Sequence, residues 1–499
     1  MKSTDSIWKD ECPSSQTYPS LTQHTETDVV IVGGGISGIT AAYMLAKKGK
    51  KVVLVEKNNI GDGVTGYTTA FITYVIDKPL IDIAAAIGKA DAKKIWQAGK
   101  NGIDFIERVI DEEKLQCEFM RCSASVYAPD QKGANRLKQE AELAQELGFD
   151  VDFHTDNQLP IPHKAYIVIH NQAKFQPLLY LQGLAAAAVK AGVKIYEHTN
   201  ADEVQEKDSI TVRCGDVNVY AEHAIMTTQY PFGGPLTMAA KLLPYNSYVI
   251  TATIPAGIIA EGLYWDTETP YHYVRVDKKN KYARLIIGGE DHKTGQTPQG
   301  RSPYAELEKY MGSILGGANY TITNAWSSQV LNTVDGLPYI GAMPFTRQQL
   351  LATGYNGTGM AYSTVAALIN TDIILGIANQ DTSLYSPSRL KGLTNMIGHT
   401  ADSFAQFFKG MTTKRDHNAE VKPDEGKIIE VNGKKIAIYR DAQGKVIKLS
   451  PVCTHMGCIV QWNGNEKTWD CPCHGSRFDA TGNVIEGPAQ KPLPRMDDH

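Results

Sequence analysis

The chain has 499 residues, 42% of them apolar and 21% charged, with a net charge of -4, a balance typical of a globular protein too long for one ordinary core. That charge leaves no electrostatic footprint for nucleic acid, and no run reaches the ~18 apolar residues that a membrane span requires. The polar start, MKSTDSIWKDECPSS, lacks the apolar stretch of a secretory signal, so the expected compartment is the cytoplasm.

Residues 1–26 read as a polar arm. Asp28-Val-Val-Ile-Val32 then reads as a strand, Ile39 to Ala46 has helical apolar spacing, and Lys51-Val-Val-Leu-Val55 is a second strand running into Glu56 and Lys57. Gly33-x-Gly35-x-x-Gly38 lies between the first strand and the helix. In that βαβ setting the glycines admit a pyrophosphate, the helix N-terminus faces it, and Glu56 accepts from ribose hydroxyls. A tight turn without ligand is the plainer reading.

Further on, helical segments such as Leu178 to Ala191 alternate with strand-like ones such as Tyr248 to Ile254 and Ala283 to Ile287. Gln349 to Ala352 reads as a strand, Gly354 to Met360 as a glycine turn, and Ala361 to Leu375 as a helix. The pattern predicts an α/β, Rossmann-like dinucleotide-binding body carrying a second, sheet-based domain over residues 27–402. A polar, charged linker follows over 403–420. Short alternating segments with turn signals then predict a small all-β domain over 421–499.

Four of the eight cysteines crowd into that last domain. Cys453-Thr-His455 and Cys471-Pro-Cys473-His474 each offer one thiolate and one imidazole, the ligand set of a [2Fe-2S] cluster with two sulfurs on one iron and two nitrogens on the other. Zinc takes the same atoms, but its ligand pairs are usually spaced more widely than Cys-x-His. Cys458 and Cys473 are left over.

This segment resembles the Rieske domains of cytochrome bc and b6f complexes through its CTHxGC and CPCHGS boxes. The resemblance implies a Cys458–Cys473 disulfide, where two free thiols are the alternative, and a hydrogen bond from Ser476 to a cluster sulfur. Phe478 stands where the respiratory proteins carry a tyrosine donor, which implies a lower reduction potential.

Residues 27 to 379 resemble the FAD-dependent amine and amino-acid oxidoreductases of the D-amino-acid oxidase superfamily, which includes glycine oxidase, sarcosine oxidase and γ-glutamylputrescine oxidoreductase. The segments Gly61 to Ala70, Thr333 to Gly341 and Gly354 to Met360 carry the likeness. It places Gly63, Thr65, Gly66, Thr68 and Thr69 along the flavin and the Val204 backbone at the adenine. Gly357, Thr358, Gly359 and Met360 fall at the pyrimidine edge, Gly354 is a further cofactor contact, and the resemblance implies an α/β FAD-binding domain (Rossmann-like, GR2-type) with an interleaved antiparallel β-sheet substrate domain. Thr69-Ala70-Phe71 lacks the nucleophile of covalent relatives, which implies noncovalent FAD.

Among Tyr271, His272, Tyr273, Arg275 and Arg284, the best substrate contacts are Arg284, as a carboxylate clamp, and Tyr271. A solvated strand face with aromatic core residues is the plainer reading, and no side-chain base is assigned. With no second nucleotide motif, a small amine or amino acid is the expected reductant, and electrons pass from FAD to the cluster and on to an external acceptor. The rivals are a Rieske oxygenase, for which His154, His163 and His170 are available, and an electron-transfer or redox-sensing protein without turnover.

Overall fold

The structure is a computed structural model describing residues 4–12, 16–231, 236–298, 300–389, 402, 405–406, 409, 420–431 and 433–496. The linker reading of 403–420 falls almost wholly outside these residues.

The first strand, Thr25–Val32, pairs in parallel with Val52–Val55 on one side and with Val217–Met226 on the other. Lys194–Tyr196, Gln349–Thr353, Tyr339–Ala342 and the hairpin Glu203–Glu206/Ile210–Cys214 complete an eight-stranded sheet. Both faces are covered, so the strands read as unbroken apolar runs rather than alternating ones. Val29, Ile31, Val52 and Leu54 enter a core with the helices. Val30, Val32, Val53 and Val55 pack against the hairpin side. Helices Ile36–Lys47 and Gly359–Leu375 lie against each other.

The second sheet has nine strands, ordered Thr321–Thr333, Leu242–Pro255, Tyr282–Lys293, His272–Lys278, Gly262–Asp266, Met120–Ala128, Ala165–Lys174 and Phe71–Ile72, with Val151–His154 paired to the seventh. It is antiparallel except where Gly262–Asp266 meets Met120–Ala128. Its Tyr248, Ile250, Ala252 and Ile254 pack under helix Pro303–Leu315. The opposite face turns toward the first sheet and forms one wall of the site.

The C-terminal domain comprises a three-stranded sheet (Glu425–Val431, Lys434–Arg440, Val446–Leu449) and a four-stranded one (Gln461–Asn463, Thr468–Asp470, Arg477–Asp479, Val484–Glu486). Ala437, Leu449, Val460, Trp469 and Phe478 form its core.

The N-terminal segment is packed rather than an arm. Helix Ile7–Glu11 buries Trp8 completely, and the Trp8 indole donates to the Thr68 carbonyl at 2.5 Å. The apolar pair Ile7-Trp8 in an otherwise polar stretch was the available signal.

Candidate functional site

The dinucleotide loop follows directly from its glycines. Gly33 has φ +113°, a conformation that L side chains rarely adopt, and its N–H donates to the Val55 carbonyl at 2.9 Å. A Cβ on Gly38 would collide with the Gly33 carbonyl oxygen, so the helix starts tight against the strand with its N-terminal amides toward the site. The Glu56 carboxylate accepts from the N–H groups of Gly34 at 2.7 Å and Asn58 at 2.9 Å. Burial raises its pKa against the opposing pull of those two bonds.

A single cavity of about 1610 Å³ runs through the molecule, larger than the ~300–1,000 Å³ typical of a pocket for one drug-sized ligand. Gly33, Gly35, Glu56 and Lys57 line one end, Gly63, Thr65, Thr68 and Thr69 its length, and Gly354 with Gly357 to Met360 another part. The hydroxyl of Thr65 accepts from the Ile36 N–H at 3.1 Å, fastening this segment to the helix start. Gly38 and Gly66 stand behind the lining; at Gly66 the missing Cβ admits the Gly61 carbonyl.

The Val204 side chain is in the core with Val30 and Val53, and Thr199, Asn200 and Ala201 line the cavity. Arg284 is a correction. It lies at the sheet's far end, 5% exposed, with its guanidinium bound by Glu11, one bond at 3.1 Å, and Asp277 at 3.9 Å. The N-terminal helix caps it, so it does not line the cavity. Its partner is some 270 positions away in sequence, which is why the strand pattern did not reveal it. Tyr271 does line the cavity.

The cavity is polar as well as roomy. The Tyr230 hydroxyl, the Ser328 hydroxyl and Gln329 Oε1 line it without a hydrogen-bond partner, at a cost that a polar ligand would remove. These groups and the glycine cradle fit a bound dinucleotide.

The metal centre is two loops with one backbone pattern. In the first, the Cys453 N–H donates to the Cys458 carbonyl at 2.8 Å and the Gly457 N–H to Cys453 at 3.0 Å. In the second, the Cys471 N–H donates to Ser476 at 2.8 Å and Gly475 to Cys471 at 3.0 Å. The two glycines, at φ +80° and +81°, make the same turn.

The loops bring His455 and His474 to 5.1 Å between ring centroids. Cys458 and Cys473 are joined by a disulfide. The Cys453 thiol is held below its ordinary value, chiefly by its hydrogen bond with Cys471. The Ser476 hydroxyl accepts from the Ala489 N–H at 3.0 Å and also bonds Cys453. Phe478 is fully buried beside Trp469.

The second loop rests on the substrate sheet. Gln329, itself completely buried, donates to the Gly475 carbonyl at 2.7 Å and to Thr294 at 3.1 Å. Asn246 reaches Asp470 at 3.3 Å, and Ser327 donates to Glu466 at 2.6 Å. Gln329 also lines the cavity, as do Glu466, Arg477 and the stretch Glu486 to Gln490 of the C-terminal domain. Sequence reasoning missed Gln329, Tyr230, Glu466 and Arg477 as wall residues, none of which stands in a glycine or ligand motif.

A flavin-type dinucleotide fold whose cavity is walled on one side by the domain that carries a two-loop Cys/His centre defines a flavo-iron–sulfur oxidoreductase. The chain belongs to the family described as FAD dependent oxidoreductase, matched over residues 28–373, and carries a Rieske [2Fe-2S] domain matched over 412–497. It is 36% identical to the Rieske 2Fe-2S iron-sulfur protein YhfW of Bacillus subtilis over 99% of this chain and 97% of that one. It is 22% identical to γ-glutamylputrescine oxidoreductase of Escherichia coli over 73% and 87% of the two chains. Among solved structures, glycine oxidase from Geobacillus kaustophilus shares the fold at TM-score 0.61 and 17% identity, covering 73% of this chain and 99% of that one.

The protein is therefore an FAD-dependent oxidoreductase with an iron–sulfur centre, and its cofactors are FAD and a [2Fe-2S] cluster. Among the described residues no helix is long and apolar enough to cross a membrane.

Proposed function

We propose that the protein oxidises a small amine or amino acid and delivers the electrons through the cluster to an external acceptor, as a dehydrogenase of the cytoplasm. When bound, FAD supplies a two-electron acceptor and the cluster a one-electron carrier. In this reading the glycine loop and Glu56 hold the adenosine half, and the helix start at Gly359 favours negative charge at the pyrimidine edge. Cys453, His455, Cys471 and His474 ligate the cluster. Ala70 and Phe71 offer no nucleophile for covalent attachment, so acid precipitation should release the flavin.

The observation that carries the reading is the shared wall. Gln329 belongs to the cavity lining while its amide holds the loop residue next to His474, and Glu466, Arg477 and Glu486 to Gln490 line the same cavity, so the flavin compartment and the cluster domain share a wall. Nothing comparable supports an oxygenase. Asp266, Glu268 and His272 converge within 4.8 Å, but both nitrogens of His272 are taken, by Asp266 at 2.9 Å and Glu290 at 3.3 Å. Burial lowers the His272 pKa, yet these carboxylates outweigh it and raise the value overall, disfavouring the neutral ring a metal needs.

The test is anaerobic mixing with a panel of amines and amino acids. Bleaching of the flavin band followed by the EPR signal of a reduced cluster is expected. Bleaching by a redox partner protein but by no amine would transfer the protein to the electron-carrier class.

A further inference from the structure

The cavity has a region that the cofactor motifs do not account for. Phe71, Trp265, Tyr271 and Tyr273 line it, with ring centroids 6.4 Å apart for Phe71–Trp265, 5.9 Å for Phe71–Tyr273 and 5.6 Å for Tyr271–Tyr273. All four are only half-buried, so ring surface is open to the cavity. Asp77 stands beside them, accepting from the Tyr271 hydroxyl at 3.3 Å. Its carboxylate also abuts the Gly357 turn, where a Cβ on the glycine would strike it.

The arginines along the cavity and Lys9 are committed to carboxylates elsewhere, and the lysine next to Asp77 is turned to a backbone carbonyl. Lys9 pairs with Asp62 at 3.4 Å, Lys78 donates to the Asp335 carbonyl at 3.3 Å, and Arg477 holds Asp470 and Glu486 at 3.3 and 3.1 Å. Arg136 pairs with Asp82, and Lys57 sits at the Glu56 end. Arg275 lies behind the wall, bound to Asp277 at 2.9 Å and to the carbonyls of Ala70 and Phe175. Among the described residues, no uncommitted arginine faces the aromatic wall.

An aromatic wall and a carboxylate together attract a positive charge, the first through the ring quadrupoles and the second by Coulomb attraction. A carboxylate ligand would meet Asp77 and find no guanidinium. We propose that Asp77 and the wall of Phe71, Trp265, Tyr271 and Tyr273 form a cation subsite, so that the substrate is an alkylamine with no carboxylate on the carbon to be oxidised. This narrows the amine-or-amino-acid reading above and rests on it. Asp77 is exposed to the cavity, while desolvation by the protein packed around it, with Asp291 nearby, pushes its carboxyl up to about 7. A bound ammonium would restore the charge.

The test is a binding measurement that needs no turnover. The FAD-loaded full chain is titrated with butyltrimethylammonium and, separately, with butyrate, following the flavin absorbance. The expected result is a saturable shift with the cation and none with butyrate, and at least a tenfold weaker cation affinity in Asp77→Asn at unchanged FAD content. Trp265→Leu should weaken the cation several-fold by thinning the wall. A shift with butyrate but not with the cation overturns the subsite, as does an Asp77→Asn variant that binds the cation like the parent. If no amine bleaches the flavin while the cation still binds through Asp77, the dehydrogenase reading fails and the subsite stands.

Discussion

The cluster centre and the substrate end of the cavity are built in opposite ways. The centre comes from two short loops repeating one hydrogen-bond pattern, with the ligands confined to Cys453–His474. The substrate end gathers Phe71, Asp77, Trp265, Tyr271 and Tyr273 from segments far apart in the chain. The turns that present the cluster ligands close locally, although the second loop also leans on the substrate sheet through Gln329. The substrate wall depends on how two sheets face each other, so it can change specificity without disturbing either cofactor.

The sharpest way to break this contrast is to remove one cofactor at a time. Cys471→Ser should abolish the cluster, read as loss of iron and EPR signal, while FAD content stays at one per chain. Gly38→Val should do the reverse, because its side chain meets the Gly33 carbonyl. Loss of both cofactors in either variant would show that the two halves fold as one unit.

A smaller effect is expected at the junction. Gln329→Leu leaves the Gly475 carbonyl without its donor, a loss of about 1–3 kcal/mol for a buried group. The flavin should still be reduced by substrate at the parent rate, with the cluster signal delayed. Equal timing in variant and parent would remove Gln329 from the positioning role.

The substrate end should respond to pH through Asp77. An acid whose pKa is raised to about 7 is charged only above that value. Cation affinity should therefore fall as pH drops through 7, with Asp291 and Tyr271 the groups facing Asp77, and Asp77→Asn should flatten the profile. The smallest expected change is at Phe478. Phe478→Tyr adds a possible donor near the ligand loop and should raise the reduction potential modestly by protein-film voltammetry; a fall or no change would contradict this.

The same contrast explains what could be read from the chain. The cluster ligands and the glycine loop were legible because each is a local spacing whose chemistry needs no partner from afar. Glu56 was legible because the βαβ unit brings the second strand beside the first. Asp77 gave no signal, being one acid between Ile76 and Lys78. Arg284 gave a misleading one, since a strand arginine looks available until the helix carrying Glu11 is placed over it. The packed N-terminus was obscured by its polar composition, although Ile7-Trp8 marked it.

The central claim is that electrons cross the wall at Gln329 from the flavin compartment to the cluster. Its most direct test is rapid mixing with an amine that bleaches the flavin, under anaerobic conditions, with absorbance and freeze-quench EPR taken on the same samples. The account predicts flavin bleaching first and the reduced-cluster signal rising afterwards at a rate that Gln329→Leu slows. A flavin that bleaches while the cluster stays oxidised throughout would contradict it.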